Sequence, residues 1–379
     1  MNKNVFITGS ASYFPNSPIQ NEEMEEYLGL ISGQPSRVRR LVLKQNGIKE
    51  RYYALDKKQC ITHTNAELAV GAIHNLLKSK NKASNSIELL TCGTASADQM
   101  LPSHASMVHG LLKEKPMEIF SASGICLACL QAFKIAYWSI LAGEKHNAIC
   151  STSELCSPTL LSKNYNIEYE KCKDLGKEPY MALEKDFLRF MMSDGANAIL
   201  LEDTPGTDKA LKVEWVEMTS FANELPTCMF MGAERREDGE LKSWKAFETQ
   251  DIIDRSLMVV KQDIKLLGAR LIPYWVNHIE ECLHKHNIHP KDITYIIPHA
   301  SSMIIYNNLI TEIENRNIDL DRKRWYTNLP QVGNIASAAI FSALDAFWNS
   351  HELHSGETIL LLVPESGRFS YGTVLLSVV

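Results

Sequence analysis

Cys126 is the residue best placed by its context to do chemistry. It stands in Phe120-Ser-Ala-Ser-Gly-Ile-Cys-Leu-Ala-Cys-Leu-Gln-Ala-Phe133, where small turn-forming residues give way to an apolar, helix-forming run. That pattern predicts a buried helix over Cys126–Ala142 with the thiol in its first turn. Bare N–H groups and the positive end of the helix dipole favour a thiolate there, so a lowered thiol pKa is expected. A thiolate in such a place is a covalent nucleophile for acyl groups. A cysteine on a buried helix is also ordinary packing material, and Cys129 fits that blander role.

Other chemistries find less support. Cys126-Leu-Ala-Cys129 has the spacing of a thioredoxin-like redox pair, but the chain is far longer than that fold and the adjoining pattern is missing. No further cysteine or histidine pairs stand at zinc-ligand spacing. The opening Val5-Phe-Ile-Thr-Gly-Ser lacks the later glycines that let a pyrophosphate approach the backbone. There is no Gly-x-Ser-x-Gly elbow, which disfavours a serine hydrolase.

The elements around these residues alternate short β-branched runs with longer helical patterns, the mark of α/β layering. Strands are predicted at Val5–Gly9, Ile87–Cys92, Ala148–Ser151, Ala198–Leu201, Leu211–Ser220, Thr294–Ile297, Thr358–Val363 and Thr373–Val378. Further helices are predicted at Thr64–Lys78, at Ile252–His284 with a break at Pro273, and at Ser337–Asn349. The 379 residues suit one large layered domain or two fused units. A net charge of −6 gives no support to nucleic-acid binding. An odd number of scattered cysteines, nine, points to a reducing compartment. With no apolar run long enough to span a bilayer and too short an apolar N-terminal segment for a secretory signal, a cytoplasmic location is expected.

An internal echo organises the chain. Gly124–Trp138 is mirrored by Gly333–Trp348, and each is followed by a Gly-Glu turn (Gly143-Glu144, Gly356-Glu357) and an apolar strand. Those strands lead into Ser153-Glu154 and Glu365-Ser366. A second echo pairs Ile87–Ser96 with Ile293–Ser302. Two echoes in the same order predict duplicated halves, residues 1–205 and 206–379, meeting near the polar turn Asp203–Asp208. The paired buried helices would pack back to back, with their N-termini converging on one site. The charged stretch Asn164–Arg189, without clear periodicity, reads as an insertion capping it.

At these residues the chain resembles the thiolase-fold condensing enzymes of the β-ketoacyl synthase III type. Gly47-Ile-Lys-Glu-Arg51 resembles the family's N-terminal Gly-Ile-x-x-Arg element, and Cys126 stands where the family places its acylated cysteine. Ser193-Asp-Gly-Ala-Asn-Ala198, Ile297-Pro-His299, Gly333-Asn334 and Ser366–Gly372 match the family's later motifs in order. The resemblance implies a five-layered α-β-α-β-α fold, a homodimer, and a transferase that joins two acyl thioesters through an acyl-Cys126 intermediate. It implies His299 and Asn334 as donors to a thioester enolate, and the Cys126 and Gly367 N–H groups as an oxyanion hole. Asp194 is expected to be a structural turn residue. Substrates would arrive on acyl carrier protein or coenzyme A, with no permanently bound cofactor and no metal.

Tyr13–Tyr53 is most similar to enzymes making dialkylresorcinol and flexirubin precursors, which implies a ring precursor of an aryl lipid or pigment as the product. Fatty-acid initiation by an ordinary synthase III, or a non-catalytic partner subunit, are the other readings. Several positions depart from the family pattern. Leu41 replaces the tryptophan that stacks on coenzyme A, Gln45 an arginine on the same element, and Ile304 a basic carrier-docking residue. Arg37, Arg39 and Arg40 offer another basic platform. Glu365 stands where the family has an apolar gate, and is a candidate base for removing a proton α to a carbonyl; otherwise it bridges to Arg368 or Arg51. Leu101 matches the residue that enters the partner's pocket, and Phe221, Met229, Phe230, Met231 and Phe369 are the expected pocket walls.

Overall fold

The computed structural model describes residues 3–167, 178–206 and 209–379. The strands of its main sheet are β1 (Phe6–Tyr13), β2 (Leu89–Thr94), β3 (Glu118–Ser123), β4 (Asn147–Glu154), β5 (Gly195–Glu202), β6 (Leu211–Ser220), β7 (Tyr295–Pro298), β8 (Thr358–Glu365) and β9 (Ser370–Val378). The helices that matter here are α1 (Arg39–Asn46), α2 (Asn65–Ser79), α3 (His104–Leu112), α4 (Ala128–Leu141), α5 (Glu178–Met191), α6 (Ile264–Lys285), α7 (Met303–Asn315) and α8 (Ala339–Ser350).

Strand order shows the duplication. The first half runs β3-β2-β4-β5-β1 and the second β7-β8-β9-β6. In both, the first strand lies antiparallel to the last, and the second lies parallel to the next-to-last. Among the described residues the second half keeps only a trace of a third strand, a parallel bridge between Ile296 and Trp325. The halves join through Phe6 and Ile7 of β1, which pair with Lys212 and Leu211 of β6.

Side-chain alternation along each strand builds the layers. Leu360 and Leu362 face an outer cluster with Trp275, Ile279, Leu309 and Ile313 of α6 and α7. Ile359, Leu361 and Val363 face inward, onto the cluster that holds α4 and α8. In the first half Leu89 points inward and Leu90 outward, toward α2 and α3. Both faces are covered, so the strands read as continuous apolar runs rather than alternating ones. The inner helices meet at Phe133 and Phe341, whose ring centroids lie 5.3 Å apart. The result is the predicted α-β-α-β-α sandwich.

Three expectations need correction. The helix predicted from Cys126 begins at Ala128, leaving the thiol in the preceding turn. The Ile252–His284 helix is two, Thr249–Asp254 and Ile264–Lys285, and the second runs through Pro273 without ending. Part of the Asn164–Arg189 stretch lies outside the described residues, as do the last two residues of the predicted Asp203–Asp208 boundary. The rest of that stretch includes α5, whose pattern is obscured by buried charge. Arg189 is 1% exposed, reaches Asp186 at 3.3 Å, and donates to the carbonyls of Gly29 and Leu160 at 2.9 Å each.

Candidate active site

The site sits where β4, β7 and β8 end and the inner helices begin. β2 must pass close beneath α4, and Gly93 permits it, since a Cβ there would come 2.4 Å from the Ala128 carbonyl oxygen. Above that contact the half-buried Cys126 occupies the turn between β3 and α4. Its carbonyl accepts a hydrogen bond from the Cys129 thiol at 3.1 Å, and Cys129 is fully buried in the inner core, as expected of a packing residue.

Glu365 ends β8 beside this turn. Its Oε2 accepts the N–H of Ile125 at 3.0 Å and of Leu127 at 3.1 Å, one on each side of Cys126. The bridge to Arg368 or Arg51 does not form. Arg368 Nε donates to the Leu225 carbonyl, and Arg51 Nη2 to Asn21 Oδ1 and the Phe190 carbonyl. The expectation of a lowered thiol pKa is also overturned. Burial, then the charges of Glu365 and Glu154, push the Cys126 thiol well above its usual range. Burial raises the Glu365 carboxyl as well, against its two amide bonds.

Glu154 is the counterpart of Glu365, and the echo Ser153-Glu154 with Glu365-Ser366 was the sequence signal for it. It ends β4, is fully buried, and its Oε1 accepts the Ala95 N–H at 3.0 Å and the Ser337 N–H at 3.2 Å, together with the Ser337 hydroxyl. Its Oε2 accepts the Ser96 hydroxyl at 2.6 Å. Each half thus ends its next-to-last strand in a glutamate that holds the start of the other half's inner helix. A carboxylate there satisfies amides that the helix leaves unpaired.

His299 follows β7, donating its N–H to the Leu362 carbonyl at 2.7 Å. The ring is buried, and among the described residues its Nδ1 has no hydrogen-bond partner. Burial lowers its pKa to about 4, so the imidazole is neutral above that pH and available as a donor. An NMR titration of His299 is expected to have its midpoint at about 4. A midpoint at the ordinary 6.5 would mean the ring is solvated.

Asn334 follows Gly333, whose φ of +71° and tight approach to Ser193 leave no room for a side chain. Its Oδ1 caps the Ala336 N–H at 3.0 Å, and its Nδ2 points at Met192 Sδ, 3.5 Å away. A thioether is a weak acceptor, so the amide donors stay available to a better one. The cap therefore uses the oxygen end of the side chain and leaves its amide end to face an acceptor. Among the described residues the Gly367 N–H has no partner and the Cys126 N–H bonds only its own thiol sulfur, which suits both to an oxyanion.

Asp194 is a structural residue. Its carboxylate accepts the N–H groups of Ala54, Cys156 and Ser157 at 2.7, 2.6 and 2.9 Å, plus the Ser157 hydroxyl. Burial holds its pKa up at about 6. Asp194→Ala is expected to cost about 3–5 kcal/mol in a urea titration, because three buried amides lose their acceptor together.

The expected pocket walls separate. Met229 lies against the Gly367 turn, its N–H 3.3 Å from the Gly367 carbonyl, and packs with Met191, Met192 and Leu329 near Asn334. Phe369 is fully buried in the outer cluster, and Phe221 packs on that same cluster at Tyr274 and Tyr371, so these two serve the outer layer. Phe230 lies under the Arg235 guanidinium, 5.2 Å from ring centroid, and Met231 is 44% exposed. Leu101 is 85% exposed. Of the basic platform, Arg39 is drawn to Glu25 at 2.8 Å, whereas Arg37 and Arg40 are exposed. Among the described residues no three His, Cys, Asp or Glu side chains gather to hold a metal.

Residues 283–378 match the family profile of the 3-oxoacyl-[acyl-carrier-protein] synthase III C-terminal region. The chain is 24% identical over 374 residues to a β-ketoacyl-[acyl-carrier-protein] synthase III of Clostridium perfringens, covering 99% of both chains. It is 22% identical to that of Aquifex aeolicus, covering 98% of both. It is a thiolase-fold condensing enzyme, similar to β-ketoacyl synthase III. Solved structures agree on the fold. The condensing enzyme superposes on AbyA1, a tetronic acid condensing enzyme, with TM-score 0.75 at 18% identity, covering 98% of this chain and 99% of that one. Against OleA of Xanthomonas campestris the TM-score is 0.73 at 18% identity, with 99% of each chain covered. No helix among the described residues is long and apolar enough to cross a membrane.

Proposed function

We propose that this condensing enzyme joins two acyl thioesters through an acyl-Cys126 intermediate and that its product is a ring precursor of a dialkylresorcinol-type aryl lipid. The observation that carries the finer reading is the Glu365 carboxylate against the Cys126 turn. A base at that place suits a β-ketoacyl donor, whose α-proton is acidic enough to remove without loss of carbon dioxide. His299 and Asn334 supply donors for the resulting enolate, and the Cys126 and Gly367 amides for the tetrahedral intermediate. The substrates are carried on acyl carrier protein or coenzyme A, without a permanently bound cofactor, in the cytoplasm. Leu41, exposed on α1 where the related enzymes stack a tryptophan on coenzyme A, favours the carrier protein.

A homodimer fits the edge of the sheet. Among the described residues strand β3 is paired only to β2, its Phe120 is 40% exposed, and the nearby loop presents Met100 and Leu101. An unpaired apolar edge of this kind calls for a cover. The second reading, initiation of fatty-acid synthesis, is favoured by the names of the curated relatives.

The test is intact-protein mass after exposure to acyl and β-ketoacyl thioesters on both carriers, followed by product analysis. A β-ketoacyl donor that yields a cyclised product without carbon dioxide supports the reading. Condensation that proceeds only with a malonyl-type extender makes the enzyme an ordinary initiator. No acyl increment with any donor points to a partner subunit.

A further inference from the structure

Glu365 raises a question that the donor set around Cys126 does not answer by itself, namely where the thiol proton goes. A helix start activates a thiol by offering bare amides and a positive dipole end. Here the amides on both sides of the thiol are occupied, since Ile125 and Leu127 both donate to Glu365 Oε2. The two charges that act on the thiol, from Glu365 and Glu154, are both negative. Two further thiols adjoin it, Cys129 below and Cys156 alongside, and neither supplies a positive charge. His299, kept neutral by burial to about pH 4, is a poor base.

The two carboxylates are not alike. Glu154 has both oxygens engaged and is fully buried. Glu365 has one oxygen on the turn, while Oε1 faces Gly367, 3.7 Å from where a Cβ would stand, and has no hydrogen-bond partner among the described residues.

We propose that Glu365 is the proton acceptor for Cys126, the two groups sharing a single negative charge. The proposal rests on the acyl-Cys126 reading and adds a first half-reaction to the role of Glu365. The Cys126 proton passes to the carboxylate, and Sγ attacks the thioester carbonyl carbon. The carbon–sulfur bond to the carrier breaks, and the carrier sulfur leaves with the proton from Glu365. The acyl-enzyme carries no charge on sulfur, and the carboxylate is regenerated for the second substrate. It then removes an α-proton, the carbon–carbon bond forms, the bond to Cys126 Sγ breaks, and the proton returns to that sulfur. No proton is gained or lost over the cycle.

A shared charge has a kinetic signature that a helix cap lacks. Moving a proton from thiol to carboxylate does not involve the solvent, so the reactive form does not depend on pH between the two titrations. Without the carboxylate the proton must go to water, and the thiolate grows tenfold per pH unit. The experiment is the alkylation rate of Cys126 by iodoacetamide, read by peptide mass from about pH 6.5 to 8, in wild type and Glu365→Gln. Glutamine keeps an oxygen for the Ile125 and Leu127 amides.

The expected result is a change of less than about threefold across that range in wild type, against about tenfold per unit in Glu365→Gln. A tenfold-per-unit rise in both proteins, or a flat profile in both, would overturn the proposal. Should Glu365→Gln fail to fold, the wild-type profile alone decides, because a tenfold-per-unit rise there is incompatible with a shared charge. Mixing wild type with thioesters separates the two layers of the argument. A flat alkylation profile with no acyl increment from any donor overturns the acyl-enzyme reading and leaves the Glu365–Cys126 pair standing.

Discussion

Cys126→Ser is expected to abolish the acyl-enzyme and to cut condensing turnover by on the order of 10³-fold or more, with the fold intact. The argument is one of acidity and position. A hydroxyl is a far weaker acid than a thiol, and the setting that raises the Cys126 pKa, burial with two adjacent carboxylates, would penalise an alkoxide more heavily still. The substitution removes little packing, since Cys126 lies in a turn and only edges the inner core. Intact mass with a competent donor should show the acyl increment on wild type alone, with thermal midpoints alike. Cys129→Ala is the control, because that thiol is buried packing whose loss should lower stability and leave acylation in place. An acyl increment on Cys126→Ser would assign the nucleophile to another residue.

The duplicated architecture was legible because both halves repeat one local grammar. A small-residue turn, an apolar helix, a Gly-Glu turn and an apolar strand recur at Gly124–Glu154 and Gly333–Glu365, and each strand ends in a glutamate. What that repeat did not disclose is that the glutamates cross over, each holding the other half's helix, because hydrogen bonds over such sequence distances leave no local pattern. Strand β3 was missed for a different reason. It is an edge strand of sequence Glu-Ile-Phe-Ser-Ala-Ser with a largely exposed face, so no apolar alternation marks it. Helix α5 was obscured by the buried Asp186–Arg189 pair, which places charge where a core face should be apolar. The thiol pKa was misjudged because dipole reasoning weighs a helix end in isolation, and here burial, then the charges of Glu365 and Glu154, outweigh it.

His299→Ala and Asn334→Ala should separate the two half-reactions. On the proposed reading each removes one preorganised donor from the enolate, and such a donor is worth on the order of 10²–10³ in rate where water is excluded. Condensation is therefore expected to fall by that factor in each variant, while Cys126 still takes an acyl group from the first thioester. The two need different controls. Among the described residues His299 has no partner at Nδ1, so its loss should cost packing alone. Asn334 also caps Ala336, so its loss should destabilise the start of α8 by about 1 kcal/mol. Asn334→Asp keeps that cap and removes only the amide donor, so it should recover the stability without the rate. Rapid-quench measurement of acyl-enzyme formation alongside steady-state condensation distinguishes the steps. If acylation falls in parallel with condensation, His299 and Asn334 serve the first step as well, and the enolate loses its assigned donors. If Asn334→Asp condenses at the wild-type rate, the side chain is a helix cap and nothing more.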